Sequence, residues 1–148
     1  MSVGSPVEKS AAKPALPKRP QPVPTRFSRE FWEATCERRL VLQYCTVARK
    51  FQHYPRPVSI YTGRHTTEWR EVSGKGSIYA FTETLRAPPA FRGREPYLIA
   101  SIELDEGARI MSNLVDCKAA DVKVGGRVQL RWDALENGMH YPVFALAK

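Results

Sequence analysis

Between residues 42 and 63 the chain carries the spacing of a metal-binding ribbon and almost none of its ligands. The segment runs Leu42-Gln43-Tyr44-Cys45-Thr46-Val47-Ala48, then Phe51 to Val58, then Ser59-Ile60-Tyr61-Thr62-Gly63. A zinc ribbon presents two Cys-x-x-Cys pairs, because tetrahedral Zn²⁺ takes four soft ligands from two tight turns. Here the four positions hold Cys45, Ala48, Ser59 and Thr62. One thiolate does not hold a structural metal. The spacing therefore predicts a ribbon-shaped scaffold without its metal, which leans either on a partner or on Phe51, Tyr54, Val58, Ile60 and Tyr61 packing in place of zinc.

The rest of the chain supplies the core. At 148 residues it is long enough for one core and an appendage. No stretch reaches the roughly 18 apolar residues of a membrane span, and no apolar leader opens the chain. Three cysteines, Cys36, Cys45 and Cys117, form no disulfide framework, which suits free thiols in a cytoplasmic protein. The formal net charge of +8 suits an anionic partner, either a nucleic acid or a phosphorylated small molecule. A solvated basic surface explains the charge equally well.

Residues 1–26 read as a proline-rich basic tail, extended where Pro17, Pro20, Pro22 and Pro24 fix the backbone. Residues 28–39 read as a helix capped by Ser28, with Phe31, Trp32, Thr35 and Cys36 on one face. Phe31 and Trp32 are expected to be an exposed pair at a partner interface. Residues 40–45 read as a short strand. From residue 68 onward the pattern turns to β, with strands over 77–86, 97–104, 109–115, 127–132 and 141–146. Asp105-Glu106-Gly107 and Glu136-Asn137-Gly138 are turn signals, and 116–121 reads as a short helical turn. Five strands with a helical insert before the fourth is the layout of a closed five-stranded barrel, an OB-fold. The expected class is mainly β: tail 1–26, helix and degenerate zinc-ribbon-like segment 27–67, OB-fold 68–148.

Catalytic constellations are missing from the sequence. His53, His65 and His140 are scattered, and no G-x-S-x-G nucleophile turn occurs. Gly74-Lys75-Gly76 lacks the second glycine and the hydroxyl residue of a phosphate loop, and reads as a bend into the first barrel strand. An OB barrel also suits single-stranded nucleic acid. Tyr79, Phe81, Arg109, Arg127, Arg131 and Trp132 could make a basic, stacking face, but Glu83, Glu103, Asp105, Glu106 and Asp133 interrupt it. Trp32, Trp69 and Trp132 read as packing residues.

One resemblance covers residues 27 to 146. Its carriers are Phe31-Trp32-Glu33, Leu40 to Cys45, Pro55-Arg56-Pro57, Trp69 with Val72-Ser73-Gly74-x-Gly76, Tyr79, Pro96-Tyr97, Leu104-Asp105-Glu106-Gly107, Asn113 and Val124-Gly125. In order and spacing these resemble the DUF35 family, a rubredoxin-like zinc ribbon followed by an OB-fold. The resemblance implies a non-catalytic accessory subunit beside a thiolase-like or other acyl-CoA enzyme, in a hetero-oligomer, with acyl-CoA as a shared ligand. The family's four cysteines would fall at 45, 48, 59 and 62, and only Cys45 is present. The chain is accordingly expected to bind no zinc and no cofactor by itself. Coenzyme A carries phosphates beside an adenine, which favours arginine and lysine with stacking aromatics. The expected acyl-CoA or partner contacts are Arg49, Lys50, His53, Tyr54 and Arg56 in the ribbon, with Phe91 and Arg92 in the loop after the first barrel strand.

Overall fold

The computed structural model describes residues 18–148. The part of the tail before Lys18 lies outside the described residues. After an extended arm, helix α1 spans Arg29–Cys36. A three-stranded antiparallel sheet follows, made of β1 (Val41–Cys45), β2 (Lys50–Gln52) and β3 (Thr67–Glu71), in the order β2-β1-β3. The barrel is built from β4 (Lys75–Thr84), β5 (Tyr97–Leu104), β6 (Arg109–Val115), β7 (Arg127–Ala134) and β8 (His140–Leu146). It closes in the order β4-β5-β6-β8-β7. This is the OB-fold expected from the strand count, with a short 3-10 turn at Ala119–Asp121 before the fourth barrel strand.

Alternation builds the barrel interior. In β5 every second residue, Leu98, Ala100, Ile102 and Leu104, is buried. Ile78, Ile110, Leu114, Val128 and Phe144 meet them from the other strands. Gly76 is required by packing, since a Cβ there would lie 2.4 Å from the carbonyl oxygen of Glu103. Strand β4 does not alternate throughout, because its register against β5 shifts between Ile78 and Ala80. The bulge turns Tyr79 to solvent and lays Phe81 opposite buried Ala100.

Several boundaries differ from the sequence expectation. The helix stops at Cys36, because Arg38 takes a left-handed φ of 57°. Arg38 and Arg39 therefore lie beyond the helix. Strands β2 and β3 carry too few apolar residues to register as strands, and they form by pairing with β1. β3 straddles the expected division at 67/68, yet pairs with β1 and not with the barrel.

Phe31 was expected to be exposed and is 4% exposed. It points into the joint between helix and barrel, edge-on to Trp32 with ring centroids 5.0 Å apart, while Trp32 is half-buried. Buried Thr35 fixes the helix to the barrel. Its hydroxyl donates to the Trp32 carbonyl at 2.6 Å and accepts from the His140 backbone N–H at 3.2 Å.

The ribbon is held by hydrogen bonds and not by the expected aromatic packing. Tyr54, Ile60 and Tyr61 are exposed, and Phe51 and Val58 are half-buried. At the centre sit two buried glutamines, Gln43 and Gln52, opposite each other in the β1–β2 register. Gln52 Nε2 donates to Gln43 Oε1 at 2.8 Å and to the Val58 carbonyl at 3.2 Å. Gln52 Oε1 accepts from the Ile60 N–H at 2.8 Å. Gln43 accepts from the Arg56 N–H at 2.9 Å and donates to the Arg56 carbonyl at 2.8 Å. Apolar side chains cannot satisfy loop N–H and C=O groups enclosed this way, whereas a primary amide does both.

Candidate functional site

Both turns of the ribbon keep the shape of a metal knuckle. In the first, the Arg49 N–H donates to the Cys45 carbonyl at 2.8 Å and Arg49 has a φ of 55°. In the second, the Gly63 N–H donates to the Ser59 carbonyl at 2.8 Å and Gly63 has a φ of 66°. The Ala48 N–H donates to Cys45 Sγ at 3.3 Å, and the Tyr61 N–H donates to Ser59 Oγ at 3.1 Å. Thr66 Oγ1 bridges the two turns, 3.4 Å from Cys45 Sγ and 3.0 Å from Thr62 Oγ1.

Burial pushes the Cys45 thiol up. Hydrogen bonds from Ser59 and Thr66 and from the backbone of Ala48 and Val47 outweigh it, leaving the thiol lowered to about 7. The residues present do not fit zinc. One thiolate faces two hydroxyls and a methyl group, and no cluster of three or more metal-binding side chains occurs among the described residues.

The structure brings part of the expected site together elsewhere. A cavity of about 440 Å³ lies where arm, helix, ribbon and barrel meet. The arm contributes Arg19, Thr25 and Ser28, and α1 contributes Phe31 and Trp32. His53, Tyr54 and Pro55 come from the loop after β2, Ile110 to Ser112 from β6, and Tyr141 and Pro142 from β8. The cavity exists because β6 and β8 pair only at Leu114–Phe144 and Val115–Ala145. Before those pairs the two strands are tied by one bond, from Ser112 Oγ to the Pro142 carbonyl at 2.6 Å.

The walls are largely aromatic. Phe31 lies 5.5 Å from His53, His53 lies 4.1 Å from Tyr54, and Trp32 lies 5.7 Å from Tyr141, centroid to centroid. Burial lowers the His53 imidazole to about 4, so it is neutral at pH 7. Burial also raises the Tyr141 phenol, opposed by nearby Arg19, and its hydroxyl donates to the Pro20 carbonyl at 2.7 Å. Arg19 is the one cation in the lining; its two terminal nitrogens are engaged, and its buried Nε has no hydrogen-bond partner. It pairs with Asp133, donates to Asn113 Oδ1 at 2.8 Å, and stands 4.8 Å over the Tyr141 ring and 5.8 Å over the Phe91 ring.

Of the expected site residues, Phe31, Trp32, His53 and Tyr54 therefore share this cavity. Arg49, Lys50 and Arg56 do not line it. They are exposed on the ribbon, with Lys50 Nζ 5.7 Å from the Tyr61 ring. Phe91 is half-buried 5.8 Å from Tyr97, and Arg92 next to it is exposed. No local pattern marks Arg19, which sits in the proline-rich arm, nor Met111, Ser112 and Tyr141, whose role comes from strand divergence.

A helix, a knuckled three-stranded ribbon and a closed OB barrel define a two-part protein of the ribbon-plus-OB-fold class. The model of the ChsH2 C-terminal OB-fold domain matches residues 69–133. A solved chain titled Ltp2-ChsH2(DUF35) aldolase is 32% identical with a TM-score of 0.77, over 86% of this chain and 100% of its own. The chain belongs to the DUF35 family. A second solved chain, a DUF35 protein of unknown function from Sulfolobus solfataricus, shares the fold at 11% identity and a TM-score of 0.59. That match covers 82% of this chain and 86% of the other.

Among curated relatives, the probable enoyl-CoA hydratase alpha subunit of Thermomonospora curvata is 33% identical over 127 residues, 85% of this chain and 39% of its own length. A DUF35 domain-containing scaffold protein of Methanocaldococcus jannaschii is 47% identical over 68 residues, 45% of this chain and 48% of its own. The chain thus spans less than half the length of either curated relative.

Proposed function

We propose that this chain is a non-catalytic accessory subunit of an acyl-CoA-processing enzyme complex, holding a thiolase-like or related acyl-CoA enzyme and shaping the site that enzyme uses. The carrying observation is the likeness at 32% identity across the whole of the solved DUF35 chain, which is named together with Ltp2 as an aldolase. The described residues support a scaffold role over catalysis. His53 is half-buried and neutral, His140 is spent on Thr35, and His65 is exposed with its Nδ1 bonded to the Pro57 carbonyl. The chemistry is then supplied by the partner, in the cytoplasm.

Binding of single-stranded nucleic acid finds less support. Arg109 and Arg127, named for a basic stripe, are each paired with a carboxylate, Glu103 and Asp105 respectively.

The test is reconstitution. The acyl-CoA enzyme recovered with this chain is assayed for turnover alone, with the chain, and against the chain by itself. Turnover that needs both, with none from the chain alone, supports the proposal. Turnover by the chain alone overturns it.

A further inference from the structure

Strand β4 outruns the barrel that it closes. Its first half is paired on both sides, with β5 through Gly76 and Ser77 and with β7 through Lys75, Gly76 and Ser77. Ile78 still meets the bend after Val124, donating its N–H to the Gly126 carbonyl at 2.9 Å and accepting from the Gly125 N–H at 2.7 Å. From Ala80 to Thr84 the strand is paired with β5 alone. The register decides which backbone groups this frees. The Leu104 N–H donates to the Ala108 carbonyl at 2.9 Å, so even-numbered residues of β5 turn their backbone towards β6 and odd-numbered ones towards β4. Ser101, Ile99 and Tyr97 therefore bond Ala80, Thr82 and Thr84. The N–H and C=O groups of Phe81 and Glu83 point the other way, and among the described residues no backbone or side-chain group bonds them.

Tyr79 to Glu83 are all exposed, Phe81 included although it lies opposite buried Ala100. The segment Tyr79–Thr84 holds no proline and no lysine, the residues that commonly blunt an open edge. Charge decides what can cover it. Arg86, two residues past the strand, and Arg92, in the loop to β5, stand at one end. Lys123, two residues before Gly125, stands at the other. All three are exposed, and none has an ion pair among the described residues. A second copy pairing antiparallel about a two-fold axis would bring the Arg86 end of one chain against the Lys123 end of the other, cation against cation. Glu83, the one charge within the edge, also discourages self-pairing. A strand with Asp or Glu near both ends meets a cation at each end instead.

We infer that the free edge of β4 is a docking site for an extended strand of a different protein, acidic near both ends, that adds to the barrel sheet through main-chain bonds to Phe81 and Glu83. The edge is open whichever enzyme the chain accompanies, so the site does not depend on the accessory-subunit reading.

The probe is a displayed library of random linear peptides, selected on the full chain, with the enriched peptides synthesised and titrated by fluorescence polarisation. Enriched peptides should carry Asp or Glu near both ends and bind more weakly as salt is raised. Glu83→Pro removes an outward N–H and leaves the β5 ladder whole, so it should weaken binding by about tenfold or more while the melting temperature holds. Arg86→Glu should weaken it by about threefold or more. N-methylation of the peptide makes the same test with the chain unaltered. Methyl groups on one alternate set of its amides should abolish binding, and methyl groups on the other set should spare it.

Failure to enrich any peptide, enriched peptides without acidic ends, or binding that survives both sets of methyl groups would overturn the inference. So would binding that a folded Glu83→Pro chain retains in full. A dimer of the chain that Glu83→Pro dissolves would overturn it too, since that puts a second copy on the edge.

Discussion

Replacing Gln52 by methionine tests what holds the ribbon together. Methionine nearly matches glutamine in volume, so the substitution opens little space and removes only polar contacts. Gln52 is 2% exposed and makes three hydrogen bonds, to Gln43 Oε1, the Val58 carbonyl and the Ile60 N–H. At about 1 kcal/mol net for each, with the enclosed Ile60 N–H left without a partner, Gln52→Met should cost ~3 kcal/mol. For a chain of this size that corresponds to a fall of about 10 °C in melting temperature. Urea denaturation followed by circular dichroism, with Gln52→Met beside the unaltered chain, measures the free energy directly. A loss below ~1 kcal/mol would refute the reasoning and return the ribbon to apolar packing by Phe51 and Val58.

Three further outcomes are expected. Introducing cysteines at the other knuckle positions, as Ala48→Cys, Ser59→Cys and Thr62→Cys together, should give a chain that binds one zinc per molecule by elemental analysis. A chain that stays metal-free would show that the two knuckles do not converge. Protonation of His53 is opposed by burial, which holds its pKa near 4 against about 6.5 unfolded. Its contribution is fully present above pH 6.5 and is lost as pH falls towards 4, by up to ~3 kcal/mol. His53→Leu should flatten the stability curve over that window, and an unchanged curve would remove His53 as its source. Arg19→Ala frees the arm from Asp133, Asn113 and Tyr141. Limited trypsin digestion should then cut at Arg26 or Arg29 several times faster, and an unchanged rate would mean the arm is held elsewhere.

The barrel was legible because its strands alternate. β5 and β6 start and stop where the periodicity and the Asp105-Glu106-Gly107 turn place them. The ribbon was legible through spacing alone, since the knuckle turns depend on the backbone path from Cys45 to Arg49 and from Ser59 to Gly63. The polar centre of the ribbon was not legible. Gln43 and Gln52 are ordinary polar residues until β1 pairs with β2 and puts them opposite each other. Phe31 and Trp32 look like an exposed aromatic pair in a short helix, and only the folded chain sets His53 against Phe31 and Tyr141 against Trp32. The cavity was least legible, because it depends on where β6 and β8 stop pairing, which no local pattern records.

The proposed accessory subunit works only as part of a complex. Affinity purification of the tagged full chain from a lysate of its native cells, with the eluate sized and identified by mass spectrometry, tests it most directly. One acyl-CoA enzyme subunit in fixed stoichiometry with the chain is the expected result. Recovery of the chain alone, or with nucleic acid as its main companion, would contradict it.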